Sequence, residues 1–283
     1  MLTLLADIER VADVQYYGRV TAVQGLLVEV AGIERRLAIG ARVRLQARDR
    51  RQVECEVVGF RQKRALLMPF ASLDGVGLGC KALVAEHQPV VYPDKTWLGR
   101  VVNAAGEPLD GGPPLRHGPV AYPLRASPPP PNARKRVAGK IDLGVRALNT
   151  FATVCRGQRM GIFSGSGVGK STVLAMLARN TNADAIVIGL VGERGREVKE
   201  FIEDDLGEEG LKRSVIVAAT SDEAPLVRRQ AAYVALTVAE QLRDSGLHVL
   251  LLMDSVTRFA MAQREIGLSA GEPPASKGYI RLS

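Results

Sequence analysis

The segment Gly161–Thr172, GIFSGSGVGKST, constrains the fold of this chain more than any other stretch. Its pattern is that of an apolar strand end, a glycine-rich loop and the start of a helix. Such a loop turns backbone N–H groups towards a phosphate, and the helix N-terminus behind it favours negative charge. Lys170 would reach the terminal phosphates, and the Ser171 hydroxyl would ligate Mg²⁺. The segment therefore predicts a P-loop.

One position departs from the formal P-loop pattern, because Ser164 stands where the pattern begins with glycine. Serine is small, and the remaining loop glycines keep the backbone free to turn. The alternative is an ordinary strand-to-helix connection that is rich in glycine, but the Gly-Lys-Ser sequence favours phosphate binding. The predicted nucleotide-binding residues of the loop are Ser164, Gly165, Ser166, Gly167, Val168, Gly169, Lys170, Ser171 and Thr172.

Length and composition indicate a globular chain of about two domains. The 283 residues are 46% apolar and 24% charged, with no apolar run long enough to span a membrane. The N-terminal sequence MLTLLADIERVAD lacks the basic flank of a signal peptide. Cys55, Cys80 and Cys155 are far apart, outside any metal-binding spacing, and are predicted to be thiols in a reducing cytosol.

The net charge of +8 raises the question of nucleic-acid binding. The basic residues are mostly arginines, concentrated at Arg35–Arg36, Arg42–Arg51, Arg61–Arg64 and Arg134–Arg136. Few aromatic residues lie among them, so the stacking platform of single-strand binders is missing. We therefore expect a solvated barrel face and a basic linker, with no nucleic-acid partner. An acidic partner protein or lipid headgroups stay open.

The N-terminal half is predicted to be a small β-barrel. Apolar residues in Leu2–Val11 have helical spacing, which predicts a short helix that either packs on its own domain or docks a partner. From Gln15 to Val91, short β-like runs alternate with glycine turns. Glu54 and Glu56 alternate with apolar residues there, and we expect both on a solvent face.

A connecting region separates this barrel from an α/β domain. Leu98–Gly112 has the turn residues of a hairpin, and the proline-rich basic stretch Ser127–Val137 predicts an extended linker. A proline-rich ligand for an adaptor domain is the alternative interpretation of that stretch. We therefore predict a barrel with its leading helix at 1–92, the hairpin and linker at 93–140, and a nucleotide-binding domain at 141–283.

After the linker, apolar strands alternate with helical segments, which predicts an α/β domain with a mostly parallel sheet. Ala185–Val191 is a continuous apolar run, typical of a strand that is buried on both faces. The other predicted strands are Arg159–Ser164, Ser214–Ala219 and His248–Met253, and the predicted helices are Asp142–Thr150, Ser171–Asn180, Glu197–Leu206 and Leu226–Asp244.

Two acidic residues follow predicted strands, at the edge of a parallel sheet where ligands bind. Glu193 could position and deprotonate a water molecule, and Arg194 could stabilise charge beside it. The alternative for this pair is a surface cluster of salt bridges. Asp254 could hold the hydration shell of Mg²⁺, or it could cap the next helix. Arg258 is a candidate phosphate contact.

With these residues placed, the chain resembles the family of flagellar protein-export ATPases, which belongs with the type III secretion ATPases and the catalytic subunits of rotary ATP synthases. The likeness runs from about Tyr17 to Tyr279 with order and spacing kept, and the EPPASKGY segment is more similar to the flagellar branch. It rests on the segments DLGVRALN, CRGQRMGIF, GSGVGKST, VIGLVGERGREVKEFIE and LLLMDSVTRFAMAQREIGLSAGEPPASKGY.

The resemblance implies a β-barrel followed by a RecA-like P-loop domain, assembled as a homo-hexamer that binds ATP and Mg²⁺. Lys170 and Ser171 match the P-loop lysine and the Mg²⁺ ligand, and Glu193 matches the catalytic carboxylate with Arg194 as its neighbour. The remaining matches are Asp254 to the Walker B acid and Arg258 to an arginine close to the γ-phosphate.

The resemblance also implies a role in protein export. The family uses ATP hydrolysis to unload export substrates and to feed them into a membrane-embedded gate, and its N-terminal segment engages a stator-like regulatory protein. Export substrates and their chaperones are therefore expected partners. The expected location is the cytoplasm, peripherally at the inner-membrane export apparatus.

The chain departs from the family after Tyr279, where the family continues with further strands and a helical domain. The resemblance then implies an incomplete RecA-like sheet with a gap or an unpaired apolar edge. It also implies that an adenine-packing aromatic and an arginine finger, worth about 10³–10⁵ in rate, are missing. We expect a truncated or frameshifted product that binds MgATP weakly and turns it over poorly. The alternatives are a nucleotide-binding structural or regulator-binding module without turnover, and an RNA-translocating hexameric ATPase.

Overall fold

The computed structural model describes residues 14–85, 89–165 and 167–274. The chain divides into two compact units. The first contains residues 1–88, 224–226 and 263–283, and the second contains residues 89–223 and 227–262. The predicted N-terminal helix, Leu2–Val11, lies outside the described residues.

The first unit is built on a closed antiparallel barrel with the strand order β1-β2-β5-β4-β3-β6. Gln62 and Lys63 join β4 to β5 with φ angles of 46° and 61°, the left-handed backbone that a two-residue hairpin turn requires. The predicted barrel is confirmed. Its strands are β1 Tyr17–Gln24, β2 Leu27–Ala31, β3 Arg42–Gln46, β4 Gln52–Arg61, β5 Arg64–Pro69 and β6 Lys81–Val84.

The expected solvent face of β4 is confirmed for Glu54 but wrong for Glu56. The Glu54 side chain is 56% exposed, whereas that of Glu56 is only 5% exposed. Glu56 lies directly opposite Arg42 in the β3–β4 register, and its carboxylate is 3.8 Å from the Arg42 guanidinium. The Phe70 ring, 3.9 Å from that guanidinium, covers it further. The pairing of β3 with β4 therefore buries the Glu56 carboxylate, which the alternation of polar and apolar residues alone would place in solvent.

The second unit contains a parallel sheet with the strand order β14-β12-β13-β8. It confirms the predicted α/β fold with a mostly parallel sheet. Residues 101–102, predicted within a hairpin, also join this sheet beside β13, while Val102 keeps an antiparallel bridge to Pro108. The strands of this unit are β7 Val90–Val91, β8 Val101–Val102, β9 Tyr122–Pro123, β10 Ala138–Lys140, β11 Cys155–Arg156, β12 Ala185–Glu193, β13 Ser214–Thr220 and β14 Val249–Asp254.

The helices follow the predicted segments closely, although the first is shorter than expected. Within the described part of the chain, none of them is both long and apolar enough to cross a membrane. Short 3₁₀ helices cover Glu34–Arg36, Lys95–Trp97 and Pro131–Ala133. The other helices are α1 Arg146–Phe151, α2 Lys170–Asn180, α3 Gly195–Glu200 with a π-helical continuation Phe201–Leu206, α4 Gly207–Lys212, α5 Pro225–Asp244 and α6 Val256–Ala270.

Strand β12 is the centre of the parallel sheet and is buried on both faces, as its continuous apolar sequence predicts. Val187 and Val191 pack in a core cluster with α5, including Ala235. On the opposite face, Ile188 and Leu190 pack in a second cluster with α2. The end of β12 therefore lies between the P-loop helix on one face and α5 on the other.

The predicted strand Arg159–Ser164 is wrong. Residues 158–165 form no strand, and Phe163 is 95% exposed. A strand needs a partner for its backbone N–H and C=O groups. Within the described ranges β14 pairs only with β12, so it is one edge of the sheet. The backbone of this segment therefore pairs with none of the described strands, despite its apolar sequence.

Candidate functional site

The predicted P-loop leads directly into α2. Gly167 and Gly169 have φ angles of 76° and 91°, a left-handed backbone that glycine adopts readily. Gly169 is the N-cap of α2, so Lys170 is the first helical residue and Ser171 lies in the exposed first turn. The described loop residues from Ser164 to Gly169 are also exposed, and Ser166 lies outside the described residues. This is the arrangement of loop and helix that binds phosphate groups.

Lys170 and Asp254 are brought together by the fold. The Lys170 ammonium group donates a hydrogen bond to Oδ1 of Asp254, and the two form an ion pair. Asp254 is the last residue of β14 and only 5% exposed, so a buried carboxylate finds a charged partner there. The loop lysine and the acid at the strand end therefore belong to one site.

The alternative role of Asp254 as a helix cap is taken by the next residue. The backbone N–H of Arg258 donates to Oγ of Ser255 at 3.3 Å, which is the N-cap contact for α6. The Asp254 carboxylate instead contacts Lys170. Ser255 is absent from the predicted residues, although a serine immediately before a helical run is a typical cap signal.

Glu193 ends β12 and lies near Lys170 and Asp254. Its side chain is 17% exposed, and its Oε1 is 4.0 Å from Nε of Arg258. Burial raises the pKa of Glu193, as does the negative charge of Asp254, while the positive charges of Arg258 and Lys170 oppose the rise. Lys170, Glu193, Asp254 and Arg258 thus form a single electrostatic cluster.

Arg194 lies apart from this cluster. It is the N-cap residue of α3, and its exposed guanidinium donates to Oε1 of Glu197 at 3.0 Å. Arg196 and Glu200 form a second exposed pair along the same helix. The surface salt-bridge interpretation therefore describes Arg194 in this structure, whereas Glu193, its neighbour in sequence, belongs to the cluster.

Gly192 shapes the end of β12, although it is absent from the predicted site residues. The register with β13 shifts here, because Gly192 and Glu193 stand opposite a single residue, Thr220. The φ angle of Gly192 is 72°, and a Cβ at this position would lie 3.0 Å from Cβ of Arg258. Backbone conformation and close approach both require glycine. A glycine directly before the predicted catalytic acid was the available signal.

The oxygen donors of this site fit Mg²⁺. The Ser171 hydroxyl and the Asp254 carboxylate are hard ligands of the type that Mg²⁺ prefers. Among the residues that the structure describes, no group of three or more His, Cys, Asp or Glu side chains could hold a metal ion. Mg²⁺ is usually held by one or two protein oxygens together with substrate phosphates and water. The donor set is therefore suited to a magnesium ion shared with a bound nucleotide.

Two models of one protein family match this chain. The nucleotide-binding domain of the ATP synthase alpha/beta family matches residues 144–281, and the beta-barrel domain of the same family matches residues 20–83. The chain belongs to the ATP synthase alpha/beta family. The family predicted from its motifs is confirmed.

Relatives within the ATP synthase alpha/beta family are flagellar and type III secretion proteins. The flagellum-specific ATP synthase of Caulobacter vibrioides is 59% identical over 279 residues, which cover 99% of this chain and 63% of the relative. The type 3 secretion system ATPase of Xanthomonas euvesicatoria is 45% identical over 282 residues, covering 98% of this chain and 62% of the relative.

A solved structure agrees with these relatives. The assembled ATPase EscN in complex with its central stalk EscO, from the enteropathogenic E. coli type III secretion system, matches with a TM-score of 0.83 and 37% identity. The match covers 93% of this chain and 64% of the EscN chain. This member of the ATP synthase alpha/beta family therefore spans less than two thirds of the length of the proteins it resembles.

Proposed function

We propose that this chain binds ATP with Mg²⁺ and hydrolyses it as the ATPase subunit of a flagellar type III export apparatus, which couples hydrolysis to the delivery of export substrates. The observation that carries the proposal is the convergence of Lys170, Glu193, Asp254 and Arg258 beside a P-loop. These groups lie where strands of a parallel sheet end, the usual ligand site of such a sheet. The 59% sequence identity with the flagellum-specific ATP synthase of Caulobacter vibrioides supports the proposed role in flagellar export.

In this proposal, the loop from Ser164 to Gly169 holds the phosphates with its backbone N–H groups. The Lys170 ammonium group has three N–H donors, so it can contact Asp254 and a phosphate oxygen together. Ser171 and Asp254 would hold Mg²⁺, which neutralises phosphate charge when it is bound. Thr172 completes the phosphate-binding turn, and Arg258 contacts the terminal phosphate.

Glu193 is the proposed general base. Its carboxylate orients the attacking water and accepts a proton from it. Because burial raises the pKa of Glu193, its carboxylate holds a proton more strongly than an ordinary glutamate does. The positive charge of Arg258, 4.0 Å away, attracts this carboxylate and opposes the rise in its pKa. Arg194 is proposed as a charge-stabilising neighbour, a role in which its guanidinium would leave Glu197.

The proposed partners follow from the resemblance. We infer that copies of this chain form a homo-hexamer, that its N-terminal segment binds a stator-like regulatory protein, and that it delivers substrates and chaperones to a membrane gate. The association of assembled EscN with a stalk protein supports the first two partners. The proposed location is cytoplasmic at the inner membrane, and the proposed domains are 1–92, 93–140 and 141–283.

The test uses the purified chain and its Glu193→Gln variant. MgATP should raise the unfolding midpoint of both proteins, because a ligand that binds only the folded state stabilises it. Turnover should fall by about 10²–10⁴ in Glu193→Gln, the usual contribution of a general base. Glu209→Gln, an exposed glutamate, is the matched control and should hydrolyse ATP like the unaltered chain.

Two results would refute the proposal. An unfolding midpoint that MgATP does not change would contradict nucleotide binding. Equal ATP turnover in the unaltered chain and in Glu193→Gln would contradict the proposed role of Glu193. Hydrolysis that RNA stimulates, with a steep dependence on salt, would favour an RNA-translocating enzyme instead.

A further inference from the structure

The turn that follows β13 holds the main chain of Glu193. The backbone N–H of Ser221 donates to the carbonyl oxygen of Glu193 at 2.9 Å. This contact continues the pairing of Glu193 with Thr220 beyond the register shift at the end of β12. The position of Glu193 therefore depends on the conformation of residues 220–223.

Glu223 fixes that conformation with its side chain. Its Oε1 accepts the backbone N–H of Thr220 at 3.0 Å and the Thr220 hydroxyl at 3.3 Å. Its own backbone N–H donates to the carbonyl oxygen of Thr220 at 3.2 Å. The turn is thus closed by both the main chain and the side chain of one residue.

The same turn also holds Arg228. The Nε of Arg228 donates to the carbonyl oxygen of Glu223 at 3.0 Å. The Cδ atom of Arg228 lies 3.6 Å from the position that a Cβ atom on Gly192 would occupy. The Cβ atom of Arg258 lies 3.0 Å from that same position. Two arginine stems therefore flank the glycine that precedes Glu193, and one of them is anchored by Glu223.

We propose that Glu223 is a positioning residue for Glu193. By closing the turn after β13, it holds the main chain of Glu193 on one side and the Arg228 stem beside Gly192 on the other. The Glu193 carboxylate then keeps its place opposite Arg258. The inference rests on the proposed function, in which Glu193 acts on the attacking water.

The experiment compares Glu223→Ala, Glu223→Gln and the matched surface variant Glu209→Ala in the full chain. Glu223→Ala should lower kcat about tenfold with KM for ATP changed less than twofold, because it displaces Glu193 without touching the phosphate-binding loop. Glu223→Gln keeps an acceptor oxygen for Thr220 and should retain more than half of kcat. Glu209→Ala should match the unaltered chain, since Glu209 is exposed and forms its ion pair with the exposed Lys212.

Hydrogen exchange of the Thr220 and Ser221 amides supplies a second readout that does not need turnover. Both amides should exchange faster in Glu223→Ala and at the original rate in Glu223→Gln. Unchanged kcat, or a rise in KM alone, in Glu223→Ala would overturn the positioning role. If the unaltered chain shows no turnover, the proposed function fails, and unchanged amide exchange in Glu223→Ala would then separately overturn the claim that Glu223 holds the Glu193 turn.

Discussion

The ammonium group of Lys170 and the carboxylate of Asp254 form a direct ion pair between residues 84 positions apart in the sequence. Lys170 begins the helix after the P-loop, and Asp254 ends an edge strand of the parallel sheet. The pair therefore ties the start of α2 to the end of β14. Removing either partner should affect the stability of this unit as well as its proposed chemistry.

Lys170→Ala is expected to lower the free energy of unfolding by about 1–3 kcal/mol, the cost of leaving a buried polar group without its partner. Urea denaturation measures the change. Lys199→Ala is the control, because Lys199 is exposed and lies 3.8 Å from an exposed Glu203, and it should change stability by less than about 0.5 kcal/mol. Equal effects of the two substitutions would contradict the importance of the Asp254 contact.

Glu193→Gln is expected to stabilise the folded chain at pH 7. Because burial and Asp254 raise the pKa of Glu193, the folded state holds this proton more tightly than the unfolded state. The favourable contribution of protonated Glu193 to the free energy of unfolding is present below the ordinary pKa of a glutamate. It is lost as the pH rises through the pKa of Glu193 in the folded state. Glutamine is neutral at every pH, so the substitution removes the charge that the folded state disfavours at pH 7.

Urea denaturation of this variant at pH 7 and near pH 4 tests the sign. The gain in the free energy of unfolding from Glu193→Gln should be smaller near pH 4 than at pH 7. Glu209→Gln should behave oppositely, because a hydrogen bond from Lys212 lowers the pKa of Glu209. A gain from Glu193→Gln that does not depend on pH would show that its charge is not the cause.

Gly192→Ala is expected to reduce ATP turnover at least tenfold, because the new methyl group would displace Arg258. Gly207→Ala separates this displacement from backbone strain. Gly207 has a similar φ angle of 67°, but a Cβ there would meet nothing within 4 Å. Both variants should lose about 1 kcal/mol or more of stability. Turnover should fall only in Gly192→Ala, and an equal fall in both would point to strain alone.

Arg42→Ala is expected to destabilise the barrel by about 3 kcal/mol, because it removes a guanidinium that lies 3.8 Å from the buried Glu56 carboxylate. Arg44→Ala on the same strand removes an exposed arginine and should have little effect. Thermal unfolding followed by circular dichroism compares the two variants. A similar midpoint for both would mean that the buried pair adds nothing to stability.

Cys55 should resist alkylation in the folded chain. The thiol is buried among the barrel strands, and burial raises its pKa to about 12. Iodoacetamide at pH 8, followed by mass spectrometry, should therefore modify the partly exposed Cys80 and Cys155 and leave Cys55 intact. In urea all three should react. Rapid labelling of Cys55 without denaturant would show that the barrel opens readily.

Much of the nucleotide-binding unit could be predicted because its signals are local. The continuous apolar run of β12 is visible in the sequence, and so is the loop pattern around Lys170. The position of Asp254 could be predicted for the same reason, since an acid directly follows an apolar strand. In each case the informative residues lie within a few positions of one another.

Features that depend on a distant partner could not be predicted in this way. Arg159–Ser164 has the sequence of a strand, yet a strand also needs a neighbour to pair with. Glu56 is buried because β3 places Arg42 opposite it. Local sequence likewise does not reveal that Glu193 lies beside Arg258 while Arg194 contacts Glu197.

The extra residue in β12 determines which side of the sheet receives the Glu193 carboxylate. Side chains alternate along a strand, so strict alternation would place Glu193 on the α5 face with Val191. The extra position at Gly192 resets the alternation, and Glu193 turns towards Lys170 and Asp254 on the α2 face. Deleting Gly192 would leave the amino acid composition of the site intact while aiming its carboxylate into the apolar core. Gly192 therefore determines which face of the sheet the Glu193 side chain occupies.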